Sequence, residues 1–142
     1  MLAVIVGTHG NFAIELIRTC EMICGTLSNV KAVTLLPGEG AEDLARKYET
    51  ALSELDIEDG VLFLNDLFGG SPYNAACRIA AGQEKYGVVT GVNLSMLIEM
   101  FGYQQAYSEV DIIGAMEKAV DAGKNGMQCF HMSTIQNEED DL

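Results

Sequence analysis

The chain has 142 residues, nearly half of them apolar and only two of them proline. One core can therefore bury roughly 68–70% of the unfolded surface without staples, and the composition argues against general disorder. Its 8 basic residues against 21 acidic ones give a formal charge of −13, which opposes the phosphate neutralisation that nucleic acid or an anionic membrane requires, so neither is an expected partner. The same acidic excess suits a merely solubilising surface, and Glu138 to Asp141 reads as a solvated acidic tail occupying 134–142 of a single domain, 1–142.

Leu2 to Val6 is a short, continuous apolar run, as in a parallel strand buried on both faces, and Gly7 to Asn11 is its polar exit loop. The run lacks a basic flank and is too short for a membrane span or signal peptide, so a cytoplasmic protein is expected. From Ala13, Leu16, Ile17, Cys20, Ile23, Cys24 and Leu27 recur at three- and four-residue spacing, which predicts an amphipathic helix ended by Gly25. A second strand over Val30 to Leu35 and a turn at Pro37 and Gly38 precede a helix with Leu44, Tyr48, Ala51 and Leu55 on one face.

A third strand, Val61 to Leu64, leads through Asn65 to Gly70 into a helix with Ser71 as N-cap and Pro72 at its first position, running to about Ala81. A fourth strand near Tyr86 to Val92, a short helix from about Ser95, a longer one opened by a capping box at Ser108 to Asp111, and a last strand near Met127 to Met132 complete the pattern. Such alternation predicts an α/β fold, a doubly wound and mostly parallel sheet with helices on both faces, with function at the carboxyl ends of its strands.

Glycine and reactive groups concentrate in two segments, Gly7 to Asn11 and Asn65 to Ser71, which fall on the same rim. In a flavodoxin-like order they flank the topological switch point, so His9 and Asp66 face each other. A carboxylate that accepts the Nδ1 hydrogen leaves Nε2 as a free nucleophile and stabilises the imidazolium that phosphorylation creates. Backbone N–H groups at the helix starts around Gly10, Asn11, Gly70 and Ser71 can hold phosphoryl oxygens, with no metal or other cofactor required. Residue types alone leave open that His9 caps a helix and Asp66 forms a turn.

Ser71, His9 and Asp66 are also the residue types of a hydrolase triad, but the second glycine of a nucleophile elbow is missing and Pro72 favours a capping role for Ser71. His131 stands alone in the last predicted strand and receives no role. With two histidines and no neighbouring cysteine no zinc signature can be assembled, and no Walker loop or GxGxxG follows any strand. The four cysteines form no CxxC pair and read as reduced thiols.

At Val6 to Gly10, Leu36 to Glu39, Gly60 to Ala76 and Gly91 to Leu97 the sequence closely resembles the IIA domain of the mannose family of the bacterial phosphoenolpyruvate-dependent sugar phosphotransferase system. The likeness spans almost the whole chain, and the block Gly60 to Ala76 is its most specific part. The resemblance implies that His9 takes phosphate from the carrier protein HPr at Nε2 and delivers it to a IIB component, with Asp66 as its hydrogen-bond partner and Ser71 helping to hold the phosphoryl group. It further implies four parallel strands plus one antiparallel C-terminal edge strand, met by Met127 to Met132 and exchanged within a homodimer. A freestanding IIA protein is the expectation, contacting the membrane only through the transporter components. Leu67 and Phe68 depart from a relative's threonine and tryptophan, a change bearing on partner contact and not on chemistry. A regulatory module of the same fold, such as the phosphotransfer subunit serving dihydroxyacetone kinase, is the alternative reading.

Overall fold

Four parallel strands in the order β2-β1-β3-β4 form the centre of the computed structural model, which describes residues 1–135. They are β1 (Ala3–His9), β2 (Val30–Leu35), β3 (Val61–Asn65) and β4 (Tyr86–Val89), alternating with α1 (Phe12–Cys24), α2 (Ala41–Ser53) and α3 (Ser71–Ala80), and followed by α4 (Leu94–Ala106) and α5 (Ile112–Asn125). The expected α/β class and four-stranded parallel sheet are therefore present.

The period-two geometry of a strand divides the core in two. Leu2, Val4, Val6, Leu62 and Leu64 face one layer with Leu16, Cys20, Met96, Leu97 and Met100. Ala3, Ile5, Val61 and Phe63 face the other, with Leu44, Tyr48, Ala51 and Ala76. Both faces of β1 and β3 are thus covered, which explains why these strands read as unbroken apolar runs.

Several boundaries differ from the sequence reading. β1 continues to His9, because Thr8 is buried and its Oγ1 accepts from the Ala13 N–H at 2.7 Å, carrying the strand into α1. α4 is a full 13-residue helix rather than a short one. It starts once the side chain of Asn93 accepts from the Met96 N–H at 2.9 Å, and β4 ends at Val89 instead of Val92. Ser108 opens no capping box: α5 is preceded by Asp111, whose backbone is paired with the Tyr103 hydroxyl.

The expected antiparallel strand at Met127 to Met132 is not part of the sheet. Residues 127–131 carry no regular structure and 132–135 make a helical turn. A strand exists only where a neighbouring edge completes its hydrogen bonds, and within this single chain no such edge takes up the segment. Met127, Phe130 and Met132 are left exposed. Residues 136–142, most of the expected acidic tail, lie outside the described residues.

All four cysteines are free thiols. Burial is the chief cause that pushes the Cys20 thiol up to about 12, with Cys24 one turn away adding to it. Native alkylation read by mass spectrometry should therefore modify exposed Cys129 and spare Cys20.

The turn into β3 depends on Gly60, where φ is +106° and an added Cβ would lie 2.5 Å from the Lys85 carbonyl oxygen. That carbonyl accepts from the Val61 N–H at 3.1 Å, so it cannot retreat without loosening the β3–β4 junction. Gly60→Ala should lower unfolding free energy by about 1–3 kcal/mol, seen as a lower urea midpoint; an unchanged midpoint would contradict the packing described.

Candidate active site

His9 ends β1 and Asp66 follows β3, two strands paired in parallel with Gly7 opposite Asn65. The pairing brings together two residues separated by 57 positions, and their side chains meet: His9 Nδ1 lies 2.9 Å from Asp66 Oδ2. The same carboxylate oxygen accepts the His9 backbone N–H at 2.9 Å, while Oδ1 accepts the Leu67 N–H at 2.9 Å. Three donors thus fix the carboxylate, and the carboxylate fixes the ring.

An ionised carboxylate only accepts, so the hydrogen between them belongs to Nδ1 and the neutral ring presents Nε2 with its lone pair free. The His9 side chain is 46% exposed and that of Asp66 17%. The nitrogen with the free lone pair thus belongs to a side chain that is almost half exposed, while its partner is sheltered. Behind the ring stands Gly70, where an added Cβ would approach His9 Cε1 to 2.9 Å and Nε2 to 3.6 Å. Only a residue without a side chain leaves the imidazole this room.

The proposed phosphoryl-holding residues fare unequally. The Gly10 N–H, at φ +57°, donates to the Leu35 carbonyl at 2.8 Å, and the Gly70 N–H donates to the Leu67 carbonyl at 3.1 Å, so neither is open to an anion. Asn11 precedes α1 without a side-chain cap bond, its carbonyl accepting from the Glu15 N–H at 3.1 Å. Ser71 is not the N-cap expected of it: Gly70, at φ −72° and ψ 165°, takes that position and Ser71 is the first residue of α3. The helix starts one residue earlier because glycine accepts the extended turn against the His9 ring. Ser71 lies exposed beside a groove between α2 and α3 that Ala41, Asn74 and Arg78 also line. His131 is exposed, with Nδ1 2.8 Å from its near neighbour Ser133 Oγ, and contributes nothing to this site.

Sequence reasoning missed four residues that shape the rim. Thr8 caps α1 through its buried hydroxyl. Glu39, which accepts from Lys47 Nζ at 2.6 Å and from the Leu36 N–H at 2.7 Å, holds the β2 exit loop and lies below its usual carboxylate range chiefly through Lys47. Tyr48 and Asn65 are fully buried and joined by a 3.0 Å hydrogen bond. Periodicity places Tyr48 on the apolar face of α2, but nothing in the sequence pattern assigned any of the four a part in the site.

Exposed apolar side chains occur on the segments that leave the same rim: Phe12, Leu36, Leu67 and Phe68, the last 73% exposed and tilted against Tyr73 at 5.1 Å between ring centroids. Among the described residues no group of three or more His, Cys, Asp or Glu is arranged to hold a metal, and no helix is long and apolar enough to cross a membrane.

Residues 3–117 match the family model described as the PTS system fructose IIA component. The chain is 40% identical over 135 residues to the mannose-specific EIIAB component of Escherichia coli K12, which covers 95% of this chain and 41% of that protein. It therefore spans about two-fifths of that relative's length. It is 38% identical over 117 residues to the fructose-specific EIIA component of Bacillus subtilis, covering 82% of this chain and 80% of the relative. Among solved structures, the phosphotransferase system component EIIA from Streptococcus agalactiae superposes with a TM-score of 0.82 at 26% identity, covering 92% of this chain and 98% of that one. The PTS IIA protein associated with the fucose utilization operon of Streptococcus pneumoniae gives 0.76 at 29% identity, covering 95% and 96%. By family model, by identity and by fold, the chain belongs to the mannose-type family of IIA components of the sugar phosphotransferase system.

Proposed function

We propose that the chain is a cytoplasmic phosphoryl carrier that accepts phosphate on His9 Nε2 from HPr and donates it to a IIB component during sugar uptake. The observation that carries this reading is the 2.9 Å contact between His9 Nδ1 and Asp66 Oδ2, which leaves Nε2 as the open nitrogen. In the transfer, the Nε2 lone pair forms the new N–P bond as the donor's N–P bond breaks, and the electron pair of that bond returns to the donor nitrogen. No proton has to move, because the hydrogen stays on Nδ1, bonded to the Asp66 carboxylate. The imidazolium character that develops on His9 is offset by the adjacent carboxylate.

The reverse direction has the same requirements, which suits a carrier that must release what it accepts. A macromolecular donor and acceptor is supported by the exposed apolar side chains around the rim, since such a patch serves docking of a protein better than enclosure of a sugar. The IIA, IIAB and sugar-system names of the relatives support the same role. Asn11, Ser71 and the α3 start remain the candidates to meet the phosphoryl oxygens, whereas the N–H groups of Gly10 and Gly70 already have partners.

The reading includes a homodimer. An apolar groove between β4 and α5, lined by Val88, Val89, Ile113, Met116 and Val120, borders the outer edge of the sheet. Exposed Met127, Phe130 and Met132 of a second copy supply the apolar surface to cover it. Light scattering should report twice the chain mass at micromolar concentration, and truncation after Gly126 should yield monomer or aggregate. A monomeric full chain would remove this part of the proposal.

Incubation with phosphoenolpyruvate, enzyme I and HPr should place one acid-labile phosphate on the chain. His9→Ala should abolish the labelling and His131→Ala should leave it intact. Asp66→Asn keeps the size but removes the charge that favours the imidazolium, so transfer should slow by about tenfold or more, each factor of ten being about 1.4 kcal/mol of barrier. Label retained on His9→Ala, or an unchanged rate in Asp66→Asn, would show that the pair is not the transfer centre.

A further inference from the structure

We propose that the buried Tyr48 hydroxyl, acting through Asn65, is the positioning group that holds the His9 loop, the Asp66 loop and the α3 start in transfer geometry. This rests on the phosphocarrier reading of His9. Tyr48 comes from α2, which carries none of the reacting groups, yet its hydroxyl donates to the Pro72 carbonyl at 2.8 Å, one residue beyond Ser71. It accepts from Asn65 Nδ2 at 3.0 Å, and the same amide nitrogen donates to the Gly7 carbonyl at 2.9 Å. Two side chains thereby join three backbone segments: β1 two residues before His9, β3 one residue before Asp66, and the first turn of α3.

The space at Gly7 is shaped for this network. An added Cβ there would collide with the Tyr48 hydroxyl and come within 2.9 Å of Asn65 Nδ2. Burial pushes the Tyr48 phenol well above its ordinary value, so the hydroxyl keeps its hydrogen and remains a donor to Pro72 at any working pH. Asn65 keeps a buried Oδ1 with no hydrogen-bond partner among the described residues. A residue selected for stability alone would not leave that acceptor unpaired in a site closed to solvent, whereas an amide needed to bridge Gly7 and Tyr48 must carry it. The bonded set is therefore better explained by alignment of the loops than by packing.

The decisive comparison is steady-state phosphoryl transfer from phosphorylated HPr to an excess of a IIB acceptor through catalytic amounts of the purified full chain or of Tyr48→Phe, which removes one oxygen and keeps the ring edge-on to Phe63. KM should stay within twofold, because the exposed docking rim is untouched, and kcat should fall at least tenfold while the melt remains cooperative. Asn65→Leu, similar in volume, should lower kcat in the same way. A lower melting midpoint with kcat unchanged in either variant would assign the network to stability only and overturn the proposal.

A measurement on the unaltered chain decides the matter if the variants fail to fold. Phosphorylation of His9 should shift the Asn65 side-chain amide resonances while those of Asn29, bonded at 2.8 Å to the Asp56 carbonyl away from the site, stay in place. An unmoved Asn65 amide overturns the proposal. If the wild-type chain takes no label under conditions that label a known carrier, it is the phosphocarrier reading that has failed.

Discussion

The parallel pairing of β1 with β3, in register from Ala3 opposite Val61 to Gly7 opposite Asn65, is the constraint on which the site depends. Both strands are buried on two faces, so a slip of one residue would turn a whole set of apolar side chains into the wrong layer. That penalty locks the register, and the register determines where the carboxyl ends of the strands stop. His9 and Asp66 each lie a short step beyond the last paired residues. Their 2.9 Å contact follows from the core's refusal to slide rather than from any attraction strong enough to gather them alone.

Once gathered, the pair is held by asymmetry of exposure. Asp66 satisfies two backbone N–H groups as well as the imidazole, so its carboxylate has little freedom to rotate away. The ring, anchored at Nδ1 and backed by Gly70, is almost half exposed. On the proposed reading this group exchanges phosphate with two different proteins and has to be reachable, yet an exposed imidazole ordinarily samples several rotamers. Anchoring one nitrogen while freeing the other reconciles these demands, and preorganisation of this kind is where the proposed carrier can gain rate.

Much of this was legible in the chain. Continuous apolar runs ending in glycine-bearing polar segments identify buried parallel strands, and placing β2 and β3 on opposite sides of β1 is enough to bring His9 toward Asp66. The shift of the α3 cap from Ser71 to Gly70 was not legible, because Ser-Pro is a normal helix opening and the competing requirement, clearance for the His9 ring, comes from another strand. The segment Met127 to Met132 has strand-forming composition, but a strand is a property of two edges, and one chain shows only one of them. Tyr48 lies on the apolar face of α2 and reads as core by periodicity. What periodicity cannot register is that the oxygen at the end of the ring meets partners 17 and 24 positions away.

These features share a logic of misfit. Leu67 and Phe68 leave large apolar surface in water next to Asp66, and Asn65 leaves a polar atom without a partner among the described residues in the interior. A sequence shaped for stability alone would exchange the two, placing polar groups outside and apolar ones within. Both departures occur within three residues of Asp66, at the carboxyl end of a strand buried on both faces. A sheet buried on both faces has stability to spare at its centre, and a site at the rim of that sheet can depart from packing rules without unfolding the strands that align it. A partner protein of the kind proposed would relieve the surface misfit by covering it, and the interior one persists because no apolar side chain could join Gly7 to Tyr48. Local conflict with folding rules therefore points to the same end of the sheet as the proposed role of His9 does.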